Sequence, residues 1–197
     1  MSVQVASKAN LIDAVVPRSL VSDVALILSG AVLTALVAQI AIPMWPVPIT
    51  GQTFAVLLVG SVLGASRGAL SMLAYFSMGA AGLPVFTGAV AGVNFGTTFG
   101  YQVGFIAAAA ITGWLASLGW HKRVLGVLAS FVIGNAVIYL FGLPWLAFAL
   151  ANLGFASDLT AVLAAGLVPF LIGDSIKMLL ASMALPLAWK LLSSKAK

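Results

Sequence analysis

Apolar residues run almost unbroken from Val24 to Ile42 and stop at Pro43-Met44-Trp45-Pro46-Val47-Pro48. Three prolines there remove backbone donors and restrict their neighbours. The pattern predicts a spanning helix over 23–42 and then a stiff loop. A second span follows over 49–64, and the turn Gly64-Ala65-Ser66-Arg67-Gly68 leads into a third over 69–81. Both are short for a bilayer, so irregular backbone buried in protein must complete them. Residues 82–98, with glycines at 88, 92 and 96, read as a folded loop, and only Gly100 and Gly104 continue that spacing into a helix. A fourth span covers 99–120 and the basic turn His121-Lys122-Arg123 precedes a fifth over 124–143. Pro144 should end that helix and open a short apolar piece to Ala151, followed by a polar loop over 152–158. The last apolar stretch, 159–187, ends in a tail with Lys190, Lys195 and Lys197.

Composition turns this pattern into a fold class. Of 197 residues only nine are Lys or Arg and four Asp or Glu, while 62% are hydrophobic, and the mean hydropathy is +1.18. A soluble domain carries roughly a quarter charged residues and could not hide this much apolar surface. At roughly 20 residues per span the expectation is an all-α integral membrane protein: a single six-transmembrane-helix bundle over 23–190. A cytoplasmic segment 1–22 precedes it and a basic cytoplasmic tail 191–197 follows. Lys8, Asp13, Pro17 and Arg18 argue against a removable signal peptide at the start. With no cysteine and one histidine, thiol chemistry is excluded and no metal site is expected.

The net charge of +5 is first a topology signal. Six spans place both termini and the turns at Arg67 and Lys122/Arg123 on one side. Every Lys and Arg except Lys177 then lies there, which makes that side cytoplasmic. Nucleic acid is not needed to explain the charge. The loops 43–48, 82–98 and 144–158 face outward without a basic residue, as if roofing a ligand pocket open to the outside.

Asp174 and Lys177 are the only charges inside a predicted span. Each costs about 2.5–3.5 kcal/mol near a helix centre, and their i, i+3 spacing puts them on one face that must point into the bundle. They either neutralise each other as a structural bolt or present an acceptor and a donor to a ligand. Thr50, Gln52, Tyr75, Thr87, Asn94, Thr97, Tyr101, Gln102, Asn135 and Tyr139 sit near the outer ends of spans, where polar side chains join helices or meet a ligand. Trp45 and Phe86 could wall an apolar pocket, although tryptophans near interfaces also form aromatic belts. Gly30, Ala31, Thr34, Ala35 and Ala38 give the first span a small-residue face suited to a partner helix or to internal packing. No phosphate-binding loop occurs, so an ATP-driven process would need partner ATPases. Gly64-Ala65-Ser66-Arg67-Gly68 matches G-x-S-x-G, with His121 and Asp23 expected on the same side, but that motif needs a strand-to-helix turn and here it joins two helices.

Pro46-Val47-Pro48-Ile49-Thr50-Gly51-Gln52-Thr53, Gly68-Ala69-Leu70-Ser71, Gly79-Ala80-Ala81-Gly82-Leu83-Pro84-Val85-Phe86, Gly96-Thr97-Thr98-Phe99-Gly100-Tyr101 and Gly173-Asp174-Ser175-Ile176-Lys177, in this order, resemble the BioY family. These are the biotin-specific substrate-binding (S) components of energy-coupling factor (ECF) transporters. The resemblance spans about residues 23–190. It implies high-affinity biotin capture from outside a bacterial cytoplasmic membrane. An ECF transmembrane coupling protein and cytoplasmic ABC-type ATPases would drive uptake, with no cofactor in this chain. It further implies that Asp174 and Lys177 bind substrate. Biotin's ureido ring offers two N–H donors and a carbonyl to such a pair; Asn94, Tyr101, Lys177 or backbone N–H groups would receive its carboxylate. The family often reads Gly-Pro-Thr-Gly-Gly-Tyr where this chain has Gly96-Thr97-Thr98-Phe99-Gly100-Tyr101, which bears on the third outer loop. The set expected to line the pocket is Asp174, Lys177, Asn94, Tyr101, Gln52, Thr50, Trp45 and Phe86. The rivals are an S component for riboflavin or thiamine, a carrier working alone, and a membrane serine hydrolase using Ser66 and His121.

Overall fold

Ser19 caps the first helix, which begins at Leu20, three residues ahead of the expected start. Its hydroxyl accepts from Ser22 N at 3.1 Å, and Ser22 Oγ accepts from Ser19 N at 2.9 Å. This reciprocal cap satisfies helix-end donors that would otherwise be orphaned. The computed structural model of the chain describes residues 10–93 and 95–194. Its helices are α1 (Leu20–Ala38), α2 (Gln52–Leu63), α3 (Ala65–Ala80), α4 (Phe99–Ser117), α5 (Val124–Asn152), α6 (Leu159–Gly166) and α7 (Leu171–Ser194). Four stretches are long and apolar enough to cross a membrane: α1, α4, α5 and the 159–192 stretch containing α6 and most of α7. On α1, α5 and α7, large apolar side chains such as Leu36, Leu140, Ile172 and Met183 face away from the bundle. That is the arrangement for lipid, not water. With its helical content and apolar spans, the chain is a helical membrane protein.

Helix α1 ends at Ala38 and not at residue 42, because β1 (Ala41–Ile42) pairs antiparallel with β2 (Ile49–Thr50). The short ladder closes the proline loop into a flap, within which the Trp45–Pro46 bond is cis. Pro144 does not end α5. Its missing N–H costs one helix bond, but α4 braces this segment: Gly100 sits against Trp145 and the Phe141 carbonyl, Gly104 against Ile138, and Tyr101 against Gly142. Pro169 does break the last stretch, into α6, a short 3-10 turn Val168–Phe170 and α7. Asp174 thereby falls in the first turn of α7, where the helix dipole favours a carboxylate.

Helix α2 lies in the middle, with Val56, Leu57, Val59 and Gly60 buried. A Cβ on Gly60 would stand 2.4 Å from the Ala109 carbonyl, and one on Gly68 would stand 2.8 Å from Gly60 Cα, so three helices meet backbone to backbone. At the corner between α2 and α3, Gly64 has φ +90°. Glycines of the G-x-S-x-G string thus serve packing and turning.

The small face of α1 points inward. Gly30 meets Ser71 and Val59, Thr34 Oγ1 donates to the Gly30 carbonyl at 2.9 Å and lies 3.9 Å from the Met72 sulfur, and Ala31 packs with Tyr75 and Phe86, Ala35 beside them. Gly30, Ala31, Thr34 and Ala38 are buried, so of the two uses expected for this face the chain itself takes internal packing.

At the end opposite the flap, residues 10–18 fold against the α2–α3 corner. Asp13 pairs with Arg67 at 2.8 Å and with Arg18 at 2.7 Å, and Arg67 also reaches Asp23 at 2.7 Å. Burial alone would raise the Asp13 carboxyl. Hydrogen bonds from Arg18, Arg67 and Asn10 outweigh it and hold the group at about 2, down from 3.8. Folding therefore favours the charged form, and the contribution is complete above about pH 4 and lost as pH falls toward 2. Asp13→Asn is expected to cost about 2 kcal/mol at pH 7. Denaturant titrations of both proteins in detergent should show the gap closing as the pH approaches 2.

Candidate ligand site

The flap brings the start of α2 under the loop 82–98, and between them lies a cavity of about 220 Å³. Val47, Phe86, Phe105, Ile138 and Phe170 form its apolar walls; Thr50, Gln52, Thr53, Gln102, Tyr139 and Lys177 supply polar groups. A mostly apolar cleft with a few converging polar groups is what a small organic ligand requires.

Its polar corner is built on α7. Lys177 Nζ donates to the Thr50 carbonyl at 2.9 Å, to Thr53 Oγ1 at 2.9 Å and to Asp174 Oδ1 at 3.1 Å. Asp174, 4% exposed, also accepts from Thr53 Oγ1 at 3.2 Å and, through Oδ2, from Tyr139 at 2.5 Å. It does not itself line the cavity. Instead it holds Thr53, Tyr139 and Lys177, which do, and its far side borders a lateral groove between α5 and α7.

The roof is tied down through Gln52, which is buried. Its Nε2 donates to Tyr75 at 2.7 Å, and its Oε1 accepts from Thr50 and Thr87, each at 3.0 Å. Trp145 Nε1 donates to the Gly96 carbonyl at 2.8 Å and Thr97 Oγ1 to the Pro46 carbonyl at 2.5 Å. The divergent 96–101 segment is thus anchored to both α5 and the flap.

Of the expected set, Thr50, Gln52, Phe86, Tyr101 and Lys177 line the cavity, with Asp174 directly behind. The Tyr101 ring forms wall while its hydroxyl donates to the Gly166 carbonyl at 3.0 Å, so it holds the α6 break. Trp45 is elsewhere: 60% exposed, it packs on Phe155 with ring centroids 4.5 Å apart. Asn94 lies outside the described residues. Thr53 was legible only as part of a motif; its position one residue after Gln52 gave no sign that it bridges both charges.

The hydrolase residues do not assemble. His121 is buried, with Nδ1 2.7 Å from the Ala116 carbonyl and its ring edge-on to Trp189. Burial lowers its pKa, against the opposing effect of that carbonyl. Asp23 pairs with Arg67, and no described hydrogen bond links Ser66 to either.

An apolar helical bundle that holds a roofed cavity with a buried charge pair at its polar corner defines a helical membrane protein with a site for a small molecule. The chain belongs to the BioY family, which it matches over residues 6–194. The biotin transporter BioY of Thermotoga maritima is 37% identical over 166 residues, covering 80% of this chain and 91% of that one. The biotin transporter BioY of Rhizobium etli is 35% identical over 187 residues, covering 84% and 97%. The crystal structure of an S-component for biotin from an ECF-type ABC transporter matches with a TM-score of 0.71 at 25% identity, covering 88% of this chain and 94% of that one.

Proposed function

We propose that this chain binds biotin in the roofed cavity and serves its uptake as the substrate-specific component of an ECF-type transporter. The observation that carries the reading is the Asp174–Lys177 pair, held at the cavity by Thr53 and Tyr139 in a chain of the BioY family. Biotin's ureido carbonyl meets the Lys177 ammonium, its N–H groups meet the oxygens of Thr53 and Tyr139, which Asp174 holds from behind, and its thioether ring and chain lie against Phe86, Phe105, Ile138 and Phe170. Thr50, Gln52 and Tyr101 fix the walls and roof around it, and Asn94 is a candidate for the carboxylate. Trp45 belongs to the lid's outer surface. No cofactor is needed for binding.

In the same reading the chain is one domain over 23–190. It makes six passes, with the broken α6–α7 stretch counted as one and the short α2 and α3 as two. The basic end, with residues 1–22 and 191–197, faces the cytoplasm of a bacterial cell and the cavity faces out. Transport energy comes from an ECF coupling protein and its ABC-type ATPases.

Equilibrium dialysis of purified protein with biotin, in competition with riboflavin and thiamine, tests the ligand. Saturable binding displaced only by biotin supports the reading. Folded protein that ignores biotin, or prefers either competitor, overturns it. Tyr139→Phe removes the donor to Asp174 Oδ2 and should weaken biotin binding about tenfold, the effect of one hydrogen bond to a charged group.

A further inference from the structure

At the end opposite the cavity, a groove of about 780 Å³ runs beside the α4–α5 turn. Leu118, Trp120, Lys122, Arg123, Leu125 and Ala129 are among its lining residues, and no acidic side chain is. Elsewhere the aspartates are committed: Asp13 and Asp23 to arginines and Asp174 to Lys177, while Asp158 caps α6. Lys122 is steadied over the Trp189 ring at 4.2 Å. The Arg123 side chain is exposed and has no ion-pair or hydrogen-bond partner among the described residues. Directly along the same flank the surface turns apolar, with Leu118 57% and Leu125 79% exposed.

We propose that this groove binds an anionic phospholipid, its phosphate on Arg123 and Lys122 and its acyl chains along Leu118, Leu125 and Ala129. A cationic rim joined without a break to an apolar floor matches both halves of such a lipid, whereas a free anion would use only the rim. Trp120 sits at the junction, where an amphipathic ring is favoured. The inference rests on the bundle lying in a membrane and is independent of which vitamin the cavity holds.

Native mass spectrometry of delipidated, detergent-solubilised protein titrated with phosphatidylglycerol or phosphatidylcholine tests it. Phosphatidylglycerol should bind the more tightly. Arg123→Gln should weaken it about fivefold and the Lys122→Gln/Arg123→Gln double variant roughly 30-fold, from about one cation's worth of attraction each. Biotin binding, measured on the same samples, should be unchanged, which separates loss of this site from loss of fold or of the ligand reading. Should the double variant fail to fold, Arg123→Gln carries the test, since its side chain has no partner to lose. Equal binding of the two lipids, unaltered binding by folded variants, or displacement by inorganic phosphate alone would overturn the proposal.

Discussion

Asp174→Asn is expected to abolish high-affinity biotin binding. One carboxylate receives Thr53, Lys177 and Tyr139 together, so the substitution changes three cavity-lining groups at once. An amide presents N–H where either Tyr139 or Lys177 needs an acceptor, and it removes the charge that compensates a largely buried ammonium. Truncating one partner of a buried, hydrogen-bonded pair costs about 2–5 kcal/mol, so affinity should fall roughly 30-fold to several thousand-fold. Lys177→Met should lose binding comparably by removing the ligand's donor. Dialysis on variants with wild-type helix content decides the matter. An affinity within about threefold of wild type would show that the pair is only a structural bolt.

Gly60→Val is expected to prevent the bundle from assembling. The new Cβ would lie 2.4 Å from the Ala109 carbonyl and 2.4 Å from Thr112 Oγ1, while Gly113 meets the α2–α3 corner just as closely. The Ala109 carbonyl is backbone and cannot swing aside, so the helices must separate. Overpacking a tight core costs about 1–3 kcal/mol and sometimes more. Here the cost falls on the close van der Waals contact that holds helices together in lipid. We expect no monodisperse peak in size-exclusion chromatography and no cooperative thermal transition. Ser66→Ala, at an exposed position near the same corner, should behave as wild type.

The sequence made the helices and the charged pair legible for the same reason: in lipid, an apolar run or an intramembrane charge has few alternative explanations. Prolines were less informative. Pro144 lies inside a continuous α5 and Pro169 divides α6 from α7, and the difference lies in neighbouring glycines and rings that only tertiary packing brings together. The apolar run alone places the start of α1 too late, because that start is set by the polar capping pair Ser19 and Ser22. Small residues on α1 fit a partner or the chain's own α3 equally well, and the aromatic Trp45 fits a pocket or a surface. Neither Thr53 nor Tyr139 stands out as a pocket residue in the sequence, because neutral polar residues in spans are common and their meeting with Asp174 depends on the register between three helices.

Gln52 has a mechanical consequence. By gripping Thr87 in the roof and Tyr75 in α3, it couples a loop to a rod. From Tyr75 to Arg67 that rod measures roughly 12 Å at 1.5 Å per residue, and Arg67 clasps Asp13 and Asp23 at the other end. Gln52, Tyr75, the helical rod and the Arg67 clasp thus form one continuous path of hydrogen bonds and backbone from the roof of the cavity to the far end of the bundle.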